Sequence, residues 1–584
     1  MKKTLSLLLV LVMVLGTLLL AGCSKKASDL VVCLGPYPDT IDPALNSAVD
    51  GASYIVHAFA GLVGWKQSND GEQLELYPDC AKELPTPTTL PDGKVQYVFE
   101  LKDDLKWSDG TPLTAHDFVY AWNRAADPAT GADYGYMFDI IDGYEDVVNG
   151  VPGAKLNVTA SEDGKFLTVV LPVDVPYFYE ICAFPTYMPV KQSVVDGNES
   201  WATKAETYIG NGPYKVTEFS ESRIVMEKNE YYHDKDLVKV DKIIFAFNED
   251  DHSILANFKN GSYLFIDGVP NEEIDTLKQE YPNEFFIKGQ LGTYYISFNV
   301  NDPVLDGFTQ EEKAKIRWAL SLLIDRNYIV KEIGKAGQVP ANAFVAMGLT
   351  EPDGVEFIKR NGTNRDGKGY FSIDPNDYAA NCERALELFK EVAASSGKFT
   401  VEDNVLKGFP TITYITNPGT GHEAIATNLQ GIYSQYGITM KIEVQEWSTF
   451  LNTRKEGNYS VARNGWLADY NDPISFLDMW TTNSGNNDVQ FGRGEHATFA
   501  GYTYKGQSGK TWAESYDKLI AEIKATKDPA TRFDLMHQAE DILMETGAIC
   551  PIYYYTDIYM SSKNLKGYLV SPLGYKIFTT AYVG

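Results

Sequence analysis

Positive charge is scarce in this chain. Its 584 residues carry 51 Lys and Arg against 79 Asp and Glu, for a net charge of −28 and a pI near 4.7. Nucleic-acid binding rests on cations that neutralise phosphates, so this balance argues against that class of partner. Histidine is sparse too. The seven present are far apart, with no pair at helical ligand spacing, so neither a built metal site nor a cofactor is expected. Beyond Cys23 only Cys33, Cys80, Cys182, Cys382 and Cys550 remain, with no paired motif. That argues against a zinc or disulfide framework and suits small core residues. There is no Gly-x-Ser-x-Gly, and no enzyme is expected. Segment 506–511 ends like a phosphate loop, but Tyr504 stands where its first glycine belongs, so it reads as a plain loop. After residue 20 no apolar run approaches the length that spans a bilayer.

The one long apolar run is residues 7–20, preceded by Lys2 and Lys3 and followed by Leu20-Ala21-Gly22-Cys23. Positive charge, an apolar stretch and small residues make a secretory leader. An uncleaved membrane anchor is the alternative. The end of the run resembles a bacterial lipobox, which implies cleavage after residue 22 and a diacylglycerol thioether on Cys23. On that reading 1–22 is a lipoprotein signal peptide and 23–29 a polar tether on the outer face of the cytoplasmic membrane.

The chain as a whole has ordinary globular composition, 44% hydrophobic and 22% charged, and is long enough for two to four domains. Aromatics reach 13%, with 37 Tyr. Tyrosine offers an apolar face and a hydroxyl, which suits a cleft for varied ligands as well as a core.

Along the chain, 30–34 reads as a buried strand, and a helical pattern runs through Tyr54, Ile55, Ala58 and Leu62. Residues 95–101 alternate as a strand. Thr114 is placed to cap a helix through Phe118 and Trp122. Tyr134 is either a packing residue or a cleft residue. A strand over 292–299 carries Tyr294 and Tyr295, and 311–334 is amphipathic at helical spacing. The polar, Gly-rich 348–377 reads as a surface insertion.

The clearest unit lies further on. A strand over 411–416, a helix over 422–436 ended by Gly437, and a strand over 438–444 form a βαβ unit, so its strands should be parallel. Ligands sit beyond the carboxyl ends of strands in such sheets, the edge where His422 falls. Trp447, Phe450, Leu451 and Arg454 share one helix face, leaving Arg454 to find either an internal carboxylate or a ligand. Then comes Arg463-Asn464-Gly465-Trp466-Leu467-Ala468-Asp469-Tyr470-Asn471-Asp472-Pro473. Val461 and Ala462 lead in as a short strand that Gly465 breaks. The residues alone allow two readings. One is a surface loop with an internal salt bridge; the other is a carboxylate beside an indole, arranged to receive a cation.

These segments in order, with His422-Glu423-Ala424-Ile425-Ala426, Phe450-Leu451-Asn452-Thr453-Arg454 and Pro551-Ile552-Tyr553-Tyr554-Tyr555, resemble the oligopeptide-binding proteins of peptide ABC importers. The resemblance covers nearly the whole mature chain. It implies an α/β periplasmic-binding-protein-like type II fold, two lobes around a hinge, with an extra domain inserted in the first lobe. Lobe one would combine 30–58, 190–290 and 557–584, the extra domain 59–189, and lobe two 291–556. It implies capture of short peptides and delivery to an ABC permease by a lipid-anchored monomer. Asp469 would hold the peptide amino terminus, and Arg454, Arg463 and His422 the carboxylate. Ser47, Val49, Tyr134, Tyr294, Tyr295, Gly465, Trp466 and Leu467 would line the cleft. A receptor for a dipeptide, a signalling peptide or a metal chelate, or a surface receptor uncoupled from uptake, is the alternative. Two departures stand out. Some relatives carry a disulfide between the positions of Gly292 and Leu467, and an acidic residue at the position of Ser47.

Overall fold

The computed structural model describes residues 29–68, 74–493 and 511–584. Cys23, its apolar leader and most of segment 506–511 lie outside the described residues. No helix among the described residues is long and apolar enough to cross a membrane.

One mixed sheet organises the molecule. Its strands in chain order are β1 (Leu30–Gly35), β2 (Tyr214–Ser220), β3 (Arg223–Lys228), β4 (Lys242–Phe247), β5 (Phe265–Asp267), β6 (Phe285–Phe298), β7 (Ile412–Thr416), β8 (Met440–Val444), β9 (Val461–Leu467) and β10 (Ile549–Ser561). They lie side by side as β8-β7-β9-β6-β10-β5-β1-β4-β3-β2, and the short strand Val339–Pro340 adds to β10. β1 runs parallel to β4 and β5, and β7 parallel to β8 and β9. The central pairs β9–β6 and β6–β10 are antiparallel.

β6 and β10 have 14 and 13 residues, more than twice an ordinary strand. They serve both halves of the sheet. Phe285–Gly289 pairs with the far end of β10, Thr293–Ser297 with its beginning, and the register breaks between Gly289 and Thr293. A separate four-stranded antiparallel sheet, built from Thr88–Thr89, Val95–Glu100, Val158–Ala160 and Phe166–Leu171, packs with helix α1 (Ala115–Ala126). Thr114 and Asp117 close a capping box at that helix's start.

The βαβ unit is present: β7, helix α2 (Thr420–Gln435) and the parallel β8. Gly437 ends the helix with φ +75°. Helix α3 (Trp447–Lys455) follows, with Phe450, Leu451 and Arg454 buried on one face.

Two expectations are corrected. Gly465 does not break its strand; β9 continues to Leu467. A Cβ there would lie 2.2 Å from the Tyr555 hydroxyl, so glycine admits the neighbouring side chain rather than a turn. Segment 348–377 is no detached insertion either. Leu349 and Phe357 are fully buried, and Phe357 stacks on His537 at 3.8 Å. Of the five cysteines after Cys23, all are free thiols and four are buried.

Candidate functional site

A cavity of about 520 Å³ opens where β9, β6 and β10 face the elements that flank β1 and β5. Ser47, Val49, Tyr134, Tyr295, His422, Arg454, Arg463, Gly465, Trp466, Leu467 and Asp469 line it. Tyr294, expected among them, is fully buried and lies outside that lining. Its ring stacks on His422 at 5.7 Å and Arg463 lies over it at 5.5 Å, so it supports two lining residues from behind. The two rings lie on opposite faces of β6, Tyr294 against His422 and Tyr553, and Tyr295 against Phe344 and Trp480.

Asp469 sits two residues past the end of β9. The turn Pro473–Phe476 folds back so that Ser475 holds it twice. The Asp469 N–H donates to Ser475 Oγ at 2.9 Å, and that hydroxyl donates to Asp469 Oδ2 at 3.0 Å. The same turn fixes the indole, whose Nε1–H donates to the Ser475 carbonyl at 2.8 Å. Tyr134 donates to Asp469 Oδ1 at 2.8 Å. No Lys, Arg or His pairs with Asp469 among the described residues. Burial pushes its carboxyl well above the ordinary range, against the two hydroxyls that lower it, and the Asp478 charge adds to the rise. Among the described residues Asp469 therefore forms no salt bridge; the one in this segment joins Asp472 to Arg532 at 2.8 Å.

The cationic end divides into two kinds of arginine. Arg454 is braced: its Nη1 donates to Asn464 Oδ1 at 2.5 Å, its Nε lies 3.5 Å from Asp488 Oδ2, and its guanidinium covers Phe450 at 4.7 Å. Asn464 Nδ2 donates to Asp488 Oδ2 at 3.0 Å, which closes the network. Arg463 has no carboxylate partner among the described residues, and its Nε is buried without an acceptor. Tyrosine rings surround it. His422, in the first turn of α2, meets the Tyr294 hydroxyl at 3.3 Å through Nδ1. Burial, then the Arg463 charge, pushes its pKa well below the usual value, so the ring is neutral.

Where some relatives are expected to carry a disulfide, Gly292 and Leu467 stand opposite each other in register. A Cβ on Gly292 would lie 2.2 Å from Leu467 Cδ2, so the leucine fills that space. Gly574, at φ +96°, lets the chain pass between Leu467 and Val49.

The sequence reading missed several lining groups. Tyr555 covers Gly465, and Lys576 is clamped between Asp557 at 2.9 Å and Asp267 at 3.3 Å in the cavity wall. Only the tyrosine run had been noticed; nothing in the local sequence marks a buried lysine in the C-terminal tail. A possible metal-ligand set, Asp79, His233 and Asp234, lies outside the cavity. Its atoms are taken up by one another, by Lys102 and by two tyrosine hydroxyls, an internal polar network.

Contacts cross the cavity mouth. Thr420 donates to Asp251 Oδ2 through N at 2.9 Å and Oγ1 at 3.1 Å, and Lys455 pairs with Asp133 at 2.7 Å. The walls are therefore drawn together. The fold agrees with a crystal structure of Haemophilus influenzae OppA in complex with RPPGFSPFR at a TM-score of 0.79. Identity is 27%, covering 96% of this chain and 99% of that one. Against the unliganded open form of the MppA periplasmic murein tripeptide binding protein, 25% identical over 96% and 98% of the two chains, the TM-score is only 0.56. Dipeptide-binding protein DppE of Bacillus subtilis is 34% identical over 82% of this chain and 79% of its own length. Oligopeptide-binding protein OppA of the same organism is 30% identical over the full length of both. The fold is thus the α/β periplasmic-binding-protein type II. With residues 75–488 matching the model for bacterial extracellular solute-binding proteins, family 5 Middle, the chain belongs to that family.

Proposed function

We propose that this protein captures short peptides outside the cytoplasmic membrane and delivers them to an ABC permease, without chemistry of its own. One observation carries the reading. A buried carboxylate, Asp469, and a guanidinium, Arg463, line the same cavity, and neither has an ionic partner among the described residues. Isolated charges in a closed cavity are costly. A zwitterion with an ammonium at one end and a carboxylate at the other satisfies both. The two residues are six apart along a mostly extended segment, which sets their separation at roughly 20 Å or less. That suits a few residues of extended peptide. Backbone groups of the ligand would pair as an added strand while side chains enter tolerant pockets.

Arg454 and His422 are the alternative carboxylate partners for peptides of other lengths. Lobe one comprises 30–58, 190–290 and 557–584, the extra domain 59–189, and lobe two 291–556. Closure turns on β6 and β10, where the register breaks. Cys23 carries the diacyl anchor, and the protein acts as a monomer. Calorimetric titration with di- to pentapeptides, alongside mass spectrometry of any co-purifying ligand, tests the proposal. Submillimolar binding of free peptides supports it. No binding at any length removes it.

A further inference from the structure

Besides Asp469 and Arg463, the cavity holds a further charged group without an ionic partner among the described residues. Asp50, in the first turn of the helix Val49–Ala58, lines it. Both of its carboxyl oxygens are buried, and neither meets a donor at full hydrogen-bond distance and angle. The Trp447 indole Nε1–H faces the Asp50 carboxyl and is likewise buried without a partner at full hydrogen-bond distance. Glu249 completes the wall beside them, its carboxyl raised by burial and by the Glu446 charge. Apart from Arg463, the Lys and Arg residues of the lining are engaged elsewhere. Lys455 pairs with Asp133, Arg454 with Asn464 and Asp488, and Lys576 with Asp557 and Asp267. A third acid, Asp39, adds negative potential toward Asp50; the N–H groups of Asp50 and Gly51 and the Trp447 indole act against it, but none of these is a cation.

A buried carboxylate that the fold leaves unpaired is unfavourable unless something fills the space. A neutral side chain would leave it so. A lysine ammonium or an arginine guanidinium would place a charge-assisted donor on Asp50 and Glu249, with its aliphatic stem against the Trp447 ring. We infer that Asp50, Glu249 and Trp447 form a side-chain subsite that selects peptides carrying a basic residue.

This inference rests on the peptide-capture reading, and the test separates the two. The intact protein is titrated with trialanine and with tripeptides in which lysine, norleucine or glutamate replaces each alanine in turn. Norleucine keeps the stem and removes the charge. At one position lysine should bind roughly tenfold or more tighter than norleucine, and glutamate weaker than both. In Asp50→Asn that lysine-to-norleucine ratio should collapse toward one, and in Glu249→Gln it should fall part of the way. Thermal melts of both variants, compared with wild type, show whether the fold is kept. If trialanine binds but lysine and norleucine are equal at every position, the subsite is wrong and peptide capture stands. A preference that survives Asp50→Asn in a folded variant also overturns it. If no tripeptide binds, the subsite falls, and peptide capture falls with it only when no other length binds.

Discussion

The Tyr134 hydroxyl donates to Asp469 Oδ1 at 2.8 Å, joining residues 335 apart in sequence across the cavity wall. Tyr134 is itself buried, wedged edge-on against Phe184 at 4.7 Å, so its hydroxyl has little freedom to turn elsewhere. Among the described residues this bond is one of two hydroxyl contacts that hold the Asp469 carboxyl down against the cost of its burial.

Tyr134→Phe should therefore act on both stability and binding. Loss of a hydrogen bond to a charged group costs about 1.5–3 kcal/mol. Peptide affinity should fall by roughly tenfold, and the loss should grow as pH is lowered, because Asp469 then protonates more readily. Titration at pH 5.5 and 7.5 checks it. A variant with wild-type affinity at both values would make the contact mere packing.

Asp469→Ala should weaken peptide binding by roughly tenfold to a few thousandfold. Acetylating the peptide amino group should do similar harm to wild type and little further harm to the variant, since both changes remove one contact. Additive losses would place the ammonium elsewhere.

Gly465→Ala should destabilise the protein, since its methyl would meet the Tyr555 hydroxyl at 2.2 Å. Overpacking of this kind costs about 1–3 kcal/mol. Adding Tyr555→Phe removes that oxygen and should recover part of the loss. Chemical denaturation of the three variants measures the recovery; none at all would assign the loss to backbone conformation.

That glycine shows where sequence reasoning stops. Gly465 was legible as a break in pattern, but its cause lies on β10, some ninety residues later. The βαβ unit from Ile412 to Val444 was readable because its signals are local: alternation, helical spacing, a terminal glycine. Arg463, Asp469 and Trp466 stood out as a cluster, and His422 by its place after a strand. Asp50 and Lys576 did not. Their importance comes from what the fold fails or manages to put beside them, which no local pattern records. Tyr294 and Tyr295 looked equivalent in sequence, and only the pleat separates them.

Glu540 gives a pH test free of the cavity. It is fully buried, accepts from the Phe344 and Val345 N–H groups at 3.1 and 2.8 Å, and is pushed up to about 8 by burial. Between the ordinary carboxyl value and that one, the native state holds a proton the unfolded chain has released. Its contribution is thus full below about 4.5 and is lost as pH rises through about 8, by roughly 1.4 kcal/mol per unit. Glu540→Gln keeps the acceptor and removes the titration. Urea denaturation at pH 5, 7 and 9 should show a shallower decline in the variant, which should exceed wild type at pH 9. Parallel curves would mean that Glu540 does not titrate in this range.

The two arginines should separate most sharply. Arg454 neutralises Asp488, which is buried beside it, so Arg454→Met strands a carboxylate that keeps the Asn464 amide and the more distant Arg493 charge. Breaking a buried pair in this way costs about 3–5 kcal/mol. Arg463→Met strands nothing. It removes a cation that has no carboxylate and replaces it with an apolar chain among tyrosine rings, so the melting temperature should hold or rise. Binding reverses the order for the peptide length whose carboxylate reaches Arg463, with a loss of roughly tenfold to a thousandfold. At lengths that end near Arg454 or His422 the same variant should bind close to normally. Thermal melts of both variants, with di- to pentapeptide titrations of Arg463→Met, give the whole pattern. If Arg463→Met unfolds the protein while its binding losses are equal at every length, Arg463 is a structural cation, and the ligand carboxylate is held elsewhere.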